Sequence, residues 1–170
     1  MFLYSSKLKD ETSKSTLINS NKVNKSSKMM KDSILSLPDS KNVLVIRTDF
    51  SSDYKWKSIC EMISESGNEF GFKPYVEYVN NSKFEELKTE KFFKNIKYYK
   101  HLFIFIVDRL TLSHAEHPII CIDLFDNPGD SFRVIPSEMW SVDNNLSISN
   151  IDFNEFMNST DIDGIHRGFN

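Results

Sequence analysis

The apolar run Leu102-Phe103-Ile104-Phe105-Ile106-Val107 constrains the fold of this chain more than any other segment. Consecutive apolar residues point alternately to the two faces of a β-strand, so both faces of this strand must be covered. Strands buried on both faces are typical of the centre of an α/β sheet. Asp108 follows the run directly, which places a carboxylate at the end of the predicted central strand.

Four further segments have the composition of strands. Residues 43–46 form a second continuous apolar run, and residues 75–79 alternate between apolar and polar side chains. Residues 119–124 and 132–135 are separated by Asp126-Asn127-Pro128-Gly129-Asp130, a strong turn signal. The last two strands are therefore predicted to form an antiparallel β-hairpin.

Helical patterns alternate with these strands. Apolar residues recur at the spacing of one helix face over residues 53–66, a helix that Ser51-Ser52-Asp53 can cap and Gly67 can end. Thr89 can begin a short helix that carries Phe92, Phe93 and Ile96, and residues 110–117 form a loop or a single helical turn.

Two more helices are predicted near the C-terminus. Pro136 can open one of them, with Trp140 facing inward, and Asp152 has capping-box spacing to Glu155. The order of elements predicts an α/β fold, with a mixed, mainly parallel five-stranded sheet flanked by helices and the hairpin towards the C-terminal part.

Charge divides the 170-residue chain into two parts. Residues 1–36 are rich in Ser, Lys and Asn and carry seven lysines against three acidic residues, whereas the remainder carries 21 acidic and 14 basic residues. The composition predicts a disordered leader over residues 1–36 and a single globular domain over residues 42–169. An acidic domain argues against a nucleic-acid ligand, because neutralisation of phosphates supplies most of that affinity.

Cysteine use and hydropathy indicate a compartment. Cys60 and Cys121 each lie in an apolar stretch, and two widely spaced cysteines form neither a disulfide framework nor a zinc knuckle. No apolar run approaches the roughly 20 residues that span a bilayer. We therefore expect a cytoplasmic protein that does not bind a membrane.

Polar residues at the predicted strand ends are the first candidate site. Arg47 and Asp49 follow the first strand and Asp108 follows the central one, at the edge where open α/β sheets bind ligands. These groups could hold a cation, a sugar or a basic group. The simpler interpretation is that Asp49 caps a loop and that Asp108 pairs with Arg47 or Arg109.

Other catalytic and cofactor motifs are absent from the sequence. None of the five glycines has the spacing of a phosphate-binding loop, and no nucleophile elbow is present. His114 and His117 have a spacing that metal sites use, but the sequence offers no third ligand, which favours a polar surface loop. We expect neither a metal nor a cofactor.

The C-terminal quarter supplies the second candidate site. Trp140 precedes Asn144 and Asn145, and Trp is a common anchor of protein interfaces. The alternative is a buried Trp beside a helix that Asn side chains terminate. Arg167 could hold the C-terminal segment to an acidic group.

Several motifs resemble an uncharacterised bacterial family that is abundant in actinobacteria. They are VIRTDFSSD with Trp56 (residues 45–56), FRVIPSEMWSV (132–142), NNLSI (144–148) and DGIHRGF (163–169), so the resemblance covers about residues 42–169. The resemblance implies a domain of unknown function that usually forms the whole protein. It assigns no catalytic residue.

Two functions remain open from the sequence. The first is a non-enzymatic interaction module that binds a protein partner, as acidic toxin-neutralising immunity proteins do when their charge steers them to basic partners. The second is a small-ligand binder or hydrolase-type enzyme that uses the carboxylates at the strand ends. A domain with neither pocket nor apolar patch would have no ligand at all.

Overall fold

The computed structural model of the protein describes residues 35–85, 96–97 and 100–169. The leader predicted over residues 1–36 lies outside these ranges, apart from Leu35–Ser36, and so does most of the helix predicted from Thr89. Leu35–Ser36 form strand β1, which pairs in parallel with Ile96–Lys97, strand β4. Ile96 therefore lies in a short strand and not in the predicted helix.

The predicted α/β class is confirmed. Within the described ranges, six strands form one mixed sheet in the order β3-β2-β5-β6-β7-β8. They are β2 (Val43–Arg47), β3 (Val76–Val79), β5 (Phe103–Val107), β6 (Ile119–Asp123), β7 (Ser131–Val134) and β8 (Ile165–His166). The five predicted strands are present, β6 and β7 form the predicted antiparallel hairpin, and β8 is an additional edge strand.

Four α-helices connect the strands in the described part of the chain. They are α1 (Asp53–Glu65), α2 (Arg109–Ser113), α3 (Met139–Ser147) and α4 (Phe153–Asn158). Ser52 caps α1 by accepting a hydrogen bond from the Lys55 backbone N–H, and Glu155 accepts one from the Asp152 N–H before α4. Both predicted helix starts are therefore confirmed.

Two apolar clusters cover the two faces of the sheet. On one face, Trp56, Ile59 and Ile63 of α1 pack with Phe153 and Phe156 of α4 over the strands. On the other face, Leu44, Ile46, Ile104 and Ile106 pack with Phe84 of the 3₁₀ turn Ser82–Phe84, and Leu37 contacts this cluster. Strand β5 contributes to both clusters and is buried along its whole length, as its unbroken apolar sequence predicted.

The connection from β7 into α3 differs in detail from the prediction. Pro136 begins a 3₁₀ turn, Pro136–Glu138, and α3 follows it. Met139 takes the fully buried position in the core, whereas Trp140 is half-buried. The apolar residue that faces the core is therefore Met139, which precedes Trp140, and not Trp140 itself.

Candidate functional site

The strand order defines where a ligand crevice is expected. Strands β2, β3, β5, β7 and β8 run in the same direction, so their carboxyl ends meet at one edge of the sheet. Strand β2 has β3 on one side and β5 on the other, and open α/β sheets bind ligands where the strand order diverges in this way. We call this the carboxyl edge.

Arg47, at the end of β2, is fully buried at the carboxyl edge. Its Nη1 donates to Asp53 Oδ1 at 2.7 Å and to Asn80 Oδ1 at 3.3 Å, and its Nε donates to the Asp49 carbonyl at 2.9 Å. The guanidinium carbon lies 4.4 Å from the centroid of the Phe50 ring. Nη2 is buried without a polar partner in the described residues. Arg47 therefore joins the start of α1 to the ends of β2 and β3.

Asp49 has a local role. Its Oδ1 accepts a hydrogen bond from the Ser51 backbone N–H at 2.7 Å, which fixes the loop between β2 and α1. This contact agrees with the simpler interpretation of the sequence, in which Asp49 caps a loop.

Asp108, at the end of β5, binds Arg133 of β7. Arg133 Nη2 donates to Oδ2 at 2.6 Å and Nη1 donates to Oδ1 at 3.1 Å, while Asp108 also caps α2 by accepting from the Thr111 backbone N–H at 2.9 Å. Burial alone would raise the pKa of Asp108, but the hydrogen bonds from Arg133 and Thr111 lower this pKa below its usual value. The partner is thus neither Arg47 nor Arg109, because the hairpin register brings Arg133 beside the end of β5.

The strand-end groups therefore belong to two separate contacts. Among the described residues, Arg47 and Asp108 share no hydrogen bond or ion pair. Each has its charge compensated locally, and neither lines the two cavities described below. Their use in catalysis or ligand binding stays a prediction.

Arg167, after β8, contacts three carboxylates. It makes a bidentate pair with Glu116 at 2.9 and 2.7 Å, and it also donates to Asp161 at 2.7 Å and to Asp163 at 2.8 and 3.0 Å. The hydrogen bonds from Arg167 lower the pKa values of Glu116 and Asp163. As the sequence predicted, Arg167 holds the C-terminal segment to acidic groups.

The asparagines beside Trp140 contact the backbone of their own helix. Asn144 Nδ2 donates to the Trp140 carbonyl at 2.7 Å, and Asn145 Nδ2 donates to the Ser141 carbonyl at 2.8 Å. Asn145 Oδ1 in turn accepts from Asn150 Nδ2 at 2.7 Å. The contact between Asn145 and Asn150 links the last turn of α3 to the segment after it, and a role of these asparagines in partner binding stays a prediction.

The two histidines of the 114–117 segment also bond to backbone groups. His114 Nδ1 accepts from the Glu116 N–H at 3.1 Å, and His117 Nδ1 lies 2.8 Å from the Thr111 carbonyl. His117 has a φ of 48°, which is uncommon outside glycine. Within the described ranges, no cluster of three or more His, Cys, Asp or Glu side chains could hold a metal ion.

A cavity of about 450 Å³ opens at the carboxyl edge beside His117. We call it the His117 cavity. Helix α1, the loop before β6 and the segment after β7 surround it, and its lining residues are Met62, Glu65, Ser66, Ala115, Glu116, His117, Ile135, Pro136 and Ser137. The sequence did not predict this cavity, because three distant segments form it and only the histidines of residues 114–117 were site candidates there.

A second cavity, of about 260 Å³, lies at the opposite edge of the sheet. We call it the Phe125 groove. It is lined by Leu102, Phe103, Asp123, Phe125, Asp126, Leu146, Ser149, Ile151, Asp152 and Phe153. The groove combines exposed apolar side chains with carboxylates, and the turn signal over residues 126–130 was the one sign of it in the sequence.

No helix within the described residues combines the length and apolar composition that crossing a bilayer requires. This finding concerns the described helices alone.

Three of the four motifs behind the family resemblance contribute residues to the carboxyl edge, whereas NNLSI contributes Leu146 to the Phe125 groove at the opposite edge. The first supplies Arg47, the FRVIPSEMWSV segment supplies Arg133 and residues 135–137 of the His117 cavity, and the last supplies Arg167. A comparison with curated proteins finds no significant match. The model of the family described as "Domain of unknown function (DUF6924)" matches residues 42–169. The chain therefore belongs to the DUF6924 family.

Proposed function

We propose that the domain is a cytosolic, non-enzymatic interaction module that binds a basic protein partner through the Phe125 groove. The observation that carries the proposal is the placement of Phe125, whose side chain is 68% exposed at the mouth of the groove. Leu102, at the same groove, is 42% exposed. Large apolar side chains that are exposed together beside a groove are typical of docking surfaces.

The loop that carries Phe125 is held in place from within. The buried carboxylate of Asp123 accepts hydrogen bonds from the backbone N–H groups of Phe125, Asp126 and Asn127, at 2.7, 3.2 and 2.8 Å. A loop fixed in this way loses little conformational entropy when a partner binds. The backbone that carries the exposed Phe125 ring is thus already ordered before a partner binds, which favours a role of Phe125 in binding.

The acidic residues around the Phe125 groove favour a partner with a basic surface. Residues 101–169 contain 11 acidic side chains, three arginines and no lysine. Arg133 and Arg167 are both engaged in ion pairs, and the exposed Asp126 and Asp152 line the groove. A partner with lysines or arginines around an apolar anchor would be steered to this surface, whereas the phosphates of a nucleic acid would be repelled.

The proposal of a cytosolic location draws support from the thiols. Cys60 and Cys121 are both free, as is usual for proteins of a reducing compartment.

Affinity capture from host lysate, followed by a binding measurement on the purified partner, tests the proposal. The bait is the full chain, as wild type and as Phe125→Ser. Loss of a central apolar anchor is expected to weaken binding by about 30-fold, which corresponds to about 2 kcal/mol. The partner is expected to be basic, and its affinity is expected to fall as salt is raised.

Two further baits serve as controls. Phe70→Ser removes a phenylalanine that is 77% exposed but lies outside the groove, so it should leave binding unchanged. Trp140→Ala tests whether the half-buried tryptophan belongs to the interface, which is one of the two alternatives that the sequence left open. Capture of no protein above background, or equal loss of the partner with Phe125→Ser and Phe70→Ser, would overturn the proposal.

A further inference from the structure

The geometry points to a second binding site, the His117 cavity, for a small organic cation with an apolar body. This inference is independent of the Phe125 groove, because the two cavities share no lining residue. A volume of about 450 Å³ lies within the range of small-molecule pockets. Its residues 115–117 precede β6 and its residues 135–137 follow β7, so this part of the cavity lies at the carboxyl edge.

His117 is held at this cavity in a strained backbone conformation. A carbonyl oxygen can only accept, so the contact with Thr111 shows that Nδ1 carries the proton. In the neutral imidazole, Nε2 is then an acceptor. Left-handed φ values in residues other than glycine persist where surrounding contacts fix them, and they concentrate at binding sites. The Thr111 contact is such a constraint.

The charged residues around the His117 cavity favour a positively charged ligand. Glu65 is exposed and has no hydrogen bond or ion pair within the described residues, so its carboxylate is available at the rim. Glu116 shares Arg167 with Asp161 and Asp163, and this four-residue cluster keeps an excess of negative charge. Among the described residues, no lysine or arginine lines the cavity. An anionic ligand would therefore meet unfavourable electrostatics there.

The apolar residues of the lining favour a ligand whose remaining part is apolar. Met62, Ile135 and Pro136 offer hydrocarbon surface, and methionine adapts to ligands of different shape. An alkyl or aryl amine can bury its chain against these residues and direct its ammonium group to Glu65 and the His117 imidazole. A free amine and the lysine side chain of a peptide share this chemistry.

Titration of the ¹⁵N-labelled full chain with hexylamine, followed by NMR chemical shifts, tests the inference. Hexanol and hexanoate are the matched neutral and anionic probes. Hexylamine is expected to shift the amides of residues 62–66, 115–117, 135 and 137 saturably. Hexanol is expected to bind about threefold more weakly, as one lost solvent-exposed ion pair implies, and hexanoate more weakly still. Nα-acetyl-lysinamide distinguishes a free amine from the lysine side chain of a peptide as the ligand. Weaker binding of this probe than of hexylamine indicates a free amine, and tighter binding indicates a lysine side chain.

Two variants of α1 separate a local effect from a general charge effect. Glu65→Gln removes the rim carboxylate and is expected to weaken hexylamine about threefold. Glu61→Gln makes the same chemical change one turn earlier on the helix, outside the cavity, and is expected to have no effect. The inference is overturned if hexylamine produces no saturable shift at these amides, or if hexanol or hexanoate binds as tightly as hexylamine. It is also overturned if both variants weaken hexylamine binding equally.

Discussion

His166 Nδ1 donates a hydrogen bond to Ser159 Oγ across 2.8 Å, while His166 Nε2 is buried without a polar partner in the described part of the structure. The direction of the bond follows from the Ser159 hydroxyl, whose single proton is donated to the Phe156 carbonyl at 2.8 Å. The rings of Phe156 and Phe169 lie 5.2 and 5.1 Å from the imidazole. The environment of His166 therefore accommodates the neutral ring and not the charged one.

This arrangement predicts a loss of stability in mild acid. Burial lowers the pKa of His166, against a smaller opposing effect of Asp161, so the unfolded chain binds a proton at a higher pH than the folded protein does. Stability due to this group is complete above the unfolded pKa of about 6.5 and is lost as the pH falls through the folded value. The free energy of unfolding, measured in urea between about pH 7 and pH 5, should fall more steeply with decreasing pH for wild type than for His166→Phe. Equal slopes for wild type and His166→Phe would contradict this assignment.

The pairing of Asp108 with Arg133 predicts a large and specific stability effect. Asp108→Asn removes both the charge of a partly buried bidentate pair and the charged cap of α2, and the expected cost is about 2 kcal/mol. Arg133→Met should cost a similar amount, and the double variant should cost less than the two single variants together. Arg109→Gln alters the exposed neighbour and should change the unfolding free energy by less than about 0.5 kcal/mol. A larger effect of Arg109→Gln than of Arg133→Met in urea unfolding would contradict this assignment.

Much of the fold could be predicted because the strands carry continuous or alternating apolar patterns. Strand β5 is the clearest example, since its apolar run requires cover on both faces and both faces are covered. Strand β8 escaped prediction because Ile165–His166 is too short to show a period and follows the Asp163-Gly164 turn signal. Its pairing with β7 is a long-range contact that local sequence does not encode.

The polar contacts were less predictable than the elements that carry them. Asp108 was correctly placed at a strand end, but its partner lies on β7, and that pairing depends on the hairpin register. An arginine within the apolar FRVI strand was the available signal, because a charged residue among buried neighbours needs a partner. The His117 cavity and the Phe125 groove are assembled from separate segments, so no local pattern could reveal their shapes.

The buried carboxylate of Asp143 predicts different outcomes for two substitutions. Its Oδ2 accepts from the Tyr75 backbone N–H at 2.6 Å, and its Oδ1 accepts from the Ser147 hydroxyl at 3.3 Å, so it joins α3 to the start of β3. Asp143→Asn keeps an acceptor for Tyr75 and should change the unfolding free energy by less than about 1 kcal/mol at neutral pH. Asp143→Leu leaves that N–H unpaired and should cost about 2 kcal/mol.

The same carboxylate gives a pH dependence of opposite sign to that of His166. Burial raises the pKa of Asp143, and the hydrogen bonds from Tyr75 and Ser147 offset this only in part. Because the folded protein then holds the proton more tightly than the unfolded chain, ionisation of Asp143 reduces stability as the pH rises above the unfolded value of about 3.9. Asp143→Asn should therefore gain stability relative to wild type as the pH is raised from about 4 to 7 in urea unfolding. A constant difference between the two proteins across this range would exclude an ionisation at Asp143 that is linked to folding.

The two thiols are expected to be unreactive in the folded protein. Burial raises the pKa of the Cys60 thiol to about 12, with a smaller opposing effect of Arg47, and the pKa of the fully buried Cys121 is also raised by burial. Since the thiolate is the reactive form, alkylation of native Cys60 by iodoacetamide near pH 8 should be at least about 100-fold slower than in the unfolded chain. Mass spectrometry of the labelled peptides measures both sites separately. Asn154→Cys places a thiol on the exposed surface of α4 as an internal standard, and labelling of Cys60 at the rate of this added cysteine would show that Cys60 is an accessible, ionisable thiol.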